Sequence, residues 1–166
     1  MRLLPALLFL AALAVAQPAV GSTDKDAGVG FVRVWPEWRS ADSFVRIKEY
    51  FGAPEDTGRE TVLRSQPSER AGYYFLVRTT NPGAVLSGTK FVLEIITPDS
   101  PRTKTFTFPA GLPAREHVFH LGLTGADWTG EKVQPVAWRL RLLSPDEQEL
   151  AVARSFLWQM PAPAES

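Results

Sequence analysis

The 166-residue sequence contains no cysteine. No disulfide can therefore cross-link the chain, and no thiolate can serve as a nucleophile or a metal ligand. Animal secreted domains commonly carry disulfides, so an exported domain without them fits the bacterial periplasm or the outside of a bacterial cell better. Roughly 145 residues follow the predicted leader described below, which is long enough for one domain to bury a hydrophobic core without covalent support.

An excess of charge of one sign is also lacking, because 18 Lys and Arg residues balance 18 Asp and Glu residues. Nucleic-acid binding requires a basic excess gathered on one face, and attachment to an anionic membrane requires a polybasic cluster. The sequence contains no such cluster. We therefore expect no nucleic-acid partner and no membrane attachment once the leader is removed.

Metal ligands are scarce, since the only histidines are His117 and His120. Three residues apart on a helix, they could share a metal ion. On a strand this odd spacing sends them to opposite faces, and the residues between them are typical of a strand. No third ligand is indicated, and no glycine-rich phosphate loop is present. We predict neither a metal nor another cofactor.

Catalytic motifs are lacking as well, including the G-x-S-x-G motif of serine hydrolases. The most unusual carboxylate is Glu94, inside the apolar segment 91–96. Glycoside hydrolysis needs a second carboxyl about 5 to 10 Å away. Three residues are candidates for this second carboxyl, and the sequence does not choose between them: Asp99, Asp127 and Glu131. We favour a solvent-facing carboxylate near Lys90 or Arg102, and hence a non-enzymatic protein, with a hydrolase built around Glu94 as the alternative.

The N-terminal residues have the organisation of an export signal. Arg2 provides a positive charge, residues 3–16 form an apolar run, and small residues allow cleavage after Ala16 or Gly21. The run is shorter than the roughly 20 residues of a membrane-spanning helix. We predict a signal peptide over residues 1–21, with an uncleaved N-terminal anchor as the alternative.

The remaining chain is rich in short apolar alternations separated by Pro and Gly. Such a pattern indicates an all-β domain, here a two-layer antiparallel β-sandwich of immunoglobulin-like or fibronectin-III-like type with seven or eight strands. We predict a flexible lead-in at 22–30, a single domain over 31–160 and a disordered tail at 161–166. The predicted strands are 31–35, 61–65, 73–79, 90–97, 103–108, 118–123, 136–143 and 150–158.

One short N-terminal helix is expected over residues 41–51, because Phe44, Ile47 and Phe51 would share one helical face. A strand is the alternative for this segment. Before it, Pro36 is expected to end the first strand.

The segment 136–158 is predicted to form the closing hairpin. Its first strand alternates apolar and polar residues, so one row should enter the core. The members of that row are Val136, Trp138, Leu140 and Leu142. We favour pairing of Leu143 with Leu150, which directs Phe156 and Trp158 outward as a candidate contact surface. A one-residue slip or a bulge would reverse these faces.

Tryptophan is the most informative residue type. Trp138 belongs to the core by alternation, whereas Trp35 and Trp38 flank Pro36 and Trp128 lies in a polar loop. Loop indoles can form a stacking platform for sugar rings or a hot spot for a protein partner. Alternatively, each folds back to cover the end of the core.

We therefore predict an exported, monomeric β-sandwich that acts as a binding or accessory module of the bacterial envelope. Its expected partner is a protein or a glycan. The alternative within this class is a carbohydrate-binding module that uses Trp35, Trp38 and Trp128.

Overall fold

The structure is a computed structural model that describes residues 28–44, 59–128 and 130–159. The predicted signal peptide, most of the predicted lead-in and the predicted tail lie outside the described residues. Within the described part of the chain, no helix is long and apolar enough to cross a membrane.

In the described ranges, eight strands form two sheets of four strands each, which confirms the all-β two-layer sandwich. The first sheet has the order β1-β3-β6-β2, with β1 Gly30–Arg39, β2 Glu60–Arg64, β3 Gly72–Asn81 and β6 Arg115–Thr124. The second sheet has the order β5-β4-β7-β8, with β4 Lys90–Thr97, β5 Ser100–Pro109, β7 Ala137–Leu143 and β8 Glu149–Arg154. Short 3-10 turns span Ala41–Phe44 and Gly125–Asp127, and a single-turn helix, α1, spans Phe156–Gln159.

Strand direction departs from the expectation at one edge of the first sheet. β2 runs parallel to β6, whereas the other strand pairs are antiparallel. A parallel neighbour cannot be joined by a tight turn, and here the chain passes through three other strands between β2 and β6. The immunoglobulin-like or fibronectin-III-like connectivity stays a prediction.

The prediction that Pro36 ends the first strand is wrong. β1 continues to Arg39, and Pro36 lies opposite Phe75 within the ladder. β1 is an edge strand, where the missing proline N–H need not face a neighbour. Trp35 and Trp38 consequently lie on a strand and not at its end.

The predicted helix over 41–51 is observed only at its beginning, as the 3-10 turn that ends at Phe44. The Ser43 hydroxyl donates a hydrogen bond of 2.7 Å to the Ser40 carbonyl inside this turn. Phe44 is buried against the outer face of the first sheet. Residues 45–51 lie outside the described residues, so the choice between helix and strand there stays a prediction.

The core lies between the facing sides of the two sheets. The alternation predicted for Tyr73, Phe75 and Val77 is confirmed, since all three are buried in one cluster. Leu140 and Leu142 from the second sheet are fully buried in the same cluster. Each such side chain contributes about 1.5–3 kcal/mol by leaving water. The core explains how a chain without disulfides is held together.

One member of the predicted inward row is misplaced. Val136 is 44 % exposed because β7 begins one residue later, at Ala137. Trp138 packs partly buried against the core as predicted.

The favoured register of the closing hairpin is confirmed along most of its length, with Leu140 opposite Ala153. The predicted pairing of Leu143 with Leu150 is wrong, because a register shift near the turn places Leu143 opposite Glu149. The strand also ends earlier than predicted, because α1 takes over at Phe156.

The outer face of the first sheet has a buried cluster of its own. Tyr74 is fully buried there, and its ring lies over Gly122 of the neighbouring strand. Its hydroxyl donates to the Arg70 carbonyl at 2.7 Å and accepts from Nε of Arg64 at 2.8 Å. The Phe44 ring covers it at a centroid distance of 4.6 Å. β3 is therefore buried on both faces near its start.

This packing predicts that Gly122→Ala destabilises the protein. A methyl group at Gly122 would overlap the Tyr74 ring, and overpacking of this kind costs about 1–3 kcal/mol. Urea unfolding followed by circular dichroism measures the loss. The control is Gly111→Ala, where the added methyl makes only an ordinary contact of 3.5 Å with the Leu86 carbonyl. Equal midpoints for the two variants would contradict the proposed role of Gly122.

Candidate functional site

A bulge in β1 decides which of its side chains face outward. The register shifts between Phe31 and Arg33, so that Phe31 lies opposite Thr79 while Arg33 lies opposite Arg78. Such an extra residue reverses the alternation beyond it. Arg33 and Trp35 therefore lie on the outer face of the first sheet, whereas Trp38 packs against the core.

Trp35 lines a cleft of about 560 Å³ on this outer face, which we call the basic cleft. Its lining residues come from β1, β3, the start of β6 and the residues next to them. They are Trp35, Arg59, Arg78, Ala114, Arg115, Glu116, His117 and Val118. Its side chains combine an indole, three guanidiniums, one carboxylate, one imidazole and two aliphatic groups.

Two arginines next to the cleft, Arg33 of β1 and Arg78 of β3, occupy directly opposite positions in the ladder. Like charges in this position destabilise a sheet. Glu116 compensates for one of them, because its Oε2 accepts from Nε of Arg78 at 3.1 Å and from Nη2 at 2.5 Å. The other guanidinium, of Arg33, lies 4.3 Å from the centroid of the Trp35 ring. The β1–β3 ladder thus keeps two positively charged residues, Arg33 and Arg78, at opposite positions that do not favour strand pairing.

The remaining two guanidiniums are not neutralised. Arg59 and Arg115 form no ion pair and no side-chain hydrogen bond with any other residue of the described ranges. Together with Arg78, they set three guanidiniums against one carboxylate, that of Glu116, among the described residues that line the cleft. The cleft is therefore electropositive, although the whole chain carries no net charge.

Arg115 also has an unusual backbone, with φ at +70°. A residue with a Cβ in this left-handed region stores strain of order 1–3 kcal/mol, which the surrounding structure must hold. Asn81, opposite Arg115 in the ladder, donates to the carbonyls of Ala84 at 2.8 Å and Pro113 at 3.1 Å. These bonds tie the turn after β3 to the segment before Arg115, and so fix where β6 begins.

The two histidines lie on β6, where their spacing sends them to opposite faces, as expected for a strand. His117 is buried on the inner face, with its ring centroid 4.8 Å from that of Phe119, and it borders the basic cleft at the start of β6. Its Nε2 lies 2.9 Å from Oγ1 of Thr61. His120 is buried under Phe44 on the outer face. Its Nδ1 lies 3.2 Å from Nη1 of Arg39, and its Nε2 lies 3.4 Å from Oε2 of Glu60. Across the residues that the structure describes, no three His, Asp or Glu side chains are grouped to hold a metal ion.

The three tryptophans of the predicted platform do not meet. Trp38 lies opposite Tyr73 in the ladder, and Trp128 stacks on the same Tyr73 ring at a centroid distance of 4.7 Å. Trp128 is only 4 % exposed, and its Nε1 donates to the Gly130 carbonyl at 3.0 Å. This is the arrangement of a side chain that closes the end of the core. Trp35 lies opposite Leu76, in the middle of β3, and is the one of the three that lines the basic cleft.

The predicted contact surface at the C-terminal end is divided. Phe156 is 77 % exposed and its neighbour Leu157 is 51 % exposed. Trp158 is half-buried instead, with the Arg139 guanidinium 5.3 Å from its ring centroid. At this end of the chain, the exposed apolar side chains are therefore Phe156 and Leu157. The reason is that side-chain directions repeat every 3.6 residues in the helix α1 and not every two residues as in a strand.

Glu94 is held by arginines of the neighbouring strand. Its carboxylate accepts from Nε of Arg139 at 2.6 Å and from Nη2 at 2.8 Å, and Nε of Arg141 lies 3.5 Å away. The prediction that Lys90 or Arg102 is the basic neighbour of Glu94 is wrong. Lys90 pairs with Glu147 instead. The hydrogen bonds from Arg139 lower the pKa of Glu94, which makes it a poor proton donor.

Sequence reasoning missed the arginines of the basic cleft. Arg59, Arg78 and Arg115 stand far apart along the chain, and none follows a recognisable motif. They are brought together by the pairing of β3 and β6 and by the position of the segment before β2. The nearest signal was Trp35, which was singled out for its residue type.

A scan against protein-family models finds no family that matches the chain, and a search of the curated proteins finds no significant match. The fold is thus defined as a two-layer β-sandwich, and the site as an electropositive cleft on its first sheet. The function has to be argued from this geometry.

The paired state of Glu94 predicts a pH-dependent contribution to stability. Because its pKa is lowered in the folded protein, the stabilisation is present above the unfolded pKa and is lost as pH falls through the folded pKa. We expect Glu94→Gln to lower the free energy of unfolding by about 1–3 kcal/mol at pH 7. The difference from the unsubstituted protein should shrink below about pH 4.5.

Urea unfolding from pH 3 to pH 7, followed by tryptophan fluorescence, measures this difference. The matched control is Glu131→Gln, on an exposed loop, where a change within about 0.5 kcal/mol is expected. A Glu94→Gln deficit that stays constant or grows toward low pH would contradict the assigned ion pair.

Proposed function

We propose that the protein is an exported, non-enzymatic β-sandwich module of the bacterial envelope that binds an anionic ligand in the basic cleft. The observation that carries the proposal is the pair of guanidiniums, on Arg59 and Arg115, that have no anionic partner in the described structure and line one cleft beside Trp35. Export rests on the signal-like residues 1–21.

The chemistry of the cleft supports an anion over a neutral or cationic ligand. Guanidinium groups are always charged and present planar donor pairs that match the two oxygens of a carboxylate. Charge-assisted hydrogen bonds of this type are roughly twice as strong as neutral ones.

The cleft is also built on rigid parts of the fold. Val118 belongs to the paired strand β6, and Arg78 is held by Glu116. The Asn81 hydrogen bonds fix the strained backbone at Arg115. A backbone that is fixed before the ligand arrives does not have to be ordered on binding, which favours affinity.

A binding role is supported over a hydrolytic one by the state of the carboxylates. Among the residues that line the basic cleft, Glu116 is the one acid, and it is paired with Arg78. Glu94 lies on the second sheet and is paired with Arg139. Neither arrangement offers the two carboxyl groups, one of them protonated, that glycoside hydrolysis uses.

The proposal predicts that removing the two unpaired charges weakens anion binding. We expect the mature protein to bind at least one of dextran sulfate, polygalacturonate and poly-L-glutamate, but not neutral dextran, in calorimetric titrations at low ionic strength. The double variant Arg59→Gln/Arg115→Gln should lose about tenfold or more in affinity, because each charge-assisted bond contributes about 1.5–3 kcal/mol.

The matched control is Arg102→Gln/Arg154→Gln, which removes the same charge from exposed positions on the second sheet. Its affinity should stay within twofold of the unsubstituted protein. An equal loss in both double variants would indicate a general charge effect and would sink the proposal, as would a failure to bind any of the three polyanions.

A further inference from the structure

The cationic side chains that line the basic cleft in the described structure are all guanidiniums. Among the described residues, no lysine lines it, and no glycine-rich loop or helix N-terminus contributes to it. Guanidinium forks match the paired oxygens of both carboxylates and phosphates. The guanidiniums therefore select an anion with paired oxygens, and the other lining groups have to distinguish between the two classes.

A large part of the cleft wall is apolar. Trp35, Ala114 and Val118 lie among the guanidiniums. A simple anion would leave this surface against water, whereas a ligand with a C–H face next to its charge would cover it. Ligand sites typically combine such an apolar wall with a few orienting polar groups.

Glu116 adds an acceptor to the cleft. Both hydrogen bonds from Arg78 end on Oε2, and Oε1 accepts none from any residue that the structure describes. A carboxylate at this place repels a ligand with closely spaced charges, such as a polyphosphate or a nucleic-acid backbone. It can accept hydrogen bonds from hydroxyl groups, so the ligand should carry hydroxyls as well as a carboxylate.

The volume of the cleft, about 560 Å³, is within the range of sites for small organic ligands and is too large for a single small ion. A carboxylate, a C–H face and several hydroxyls occur together in a uronic acid ring.

From these features we infer that the ligand of the basic cleft is a uronate residue of an acidic polysaccharide. This inference rests on the anion binding proposed above. Arg59 and Arg115 hold the carboxylate, Trp35 and Val118 cover the C–H face of the ring, and Oε1 of Glu116 accepts from a ring hydroxyl.

Calorimetric titration of the mature protein tests the ligand class. The probes are tetramers of galacturonate, mannuronate and glucuronate, a tetramer of glutamate with the same number of side-chain carboxylates, and low-mass dextran sulfate. We expect at least one uronate tetramer to bind about tenfold or more tightly than the glutamate tetramer and the dextran sulfate. Equal or tighter binding of either comparison ligand would overturn the inference.

Trp35→Ala tests the recognition of the ring. We expect a loss of about tenfold in affinity for the uronate tetramer and a change within twofold for dextran sulfate. Trp158→Ala is the matched control, because Trp158 is also half-buried beside a guanidinium but lies on α1. A Trp35→Ala variant that keeps its melting temperature and its uronate affinity would overturn the inference, as would a parallel loss for both ligands.

Glu116→Gln supplies a readout that does not depend on the aromatic wall. Removal of the carboxylate should raise the affinity for dextran sulfate several-fold and give no such gain for the uronate tetramer. Equal gains for both ligands would overturn the role assigned to Glu116. The two proposals also fail separately: anion binding through Arg59 and Arg115 without preference for uronates removes only the inference, whereas no anion binding at all removes the proposed function too.

Discussion

The packing of Tyr74 over Gly122 is the constraint on which the first sheet depends. It buries an aromatic ring on a face that a sandwich usually leaves to solvent, and the hydroxyl is satisfied by Arg64 and by the Arg70 carbonyl. Phe44 completes this cover. The outer face is thereby divided into a closed half over Tyr74 and an open half that contains the basic cleft. Because β3 is buried on both sides there, the open half stands on a rigid strand pair.

The two sheets pair their arginines differently. On the second sheet, two arginines share one carboxylate, since Glu94 accepts from Arg139 and lies near Arg141. On the first sheet, Glu116 pairs with Arg78 alone, and the other guanidiniums of the cleft find no carboxylate within the described structure. A chain of zero net charge can therefore present a local positive site. Local charge and not total charge decides what such a surface attracts.

Two backbone irregularities place the cleft side chains. The bulge before Arg33 turns Trp35 outward, and the left-handed residue Arg115 starts β6 beside it. Both features depart from ideal strand geometry at some cost in stability, and both are held by neighbouring pairings such as the Asn81 hydrogen bonds. Departures of this kind concentrate at sites that bind ligands. Their position at one cleft is consistent with a binding role for this face.

The residue alternation was sufficient to predict the sandwich class, the inward row of β3 and the burial of Leu140 and Leu142, because a period of two is a local property of an extended chain. It could not predict that β2 runs parallel to β6, that β1 continues through Pro36, or that distant arginines meet at one cleft. Those features depend on strand order, on an edge position and on a bulge, all of which are set by contacts between residues far apart in the chain. The amino-acid sequence by itself determined which side chains face inward, and only the tertiary structure decided which outward ones become neighbours.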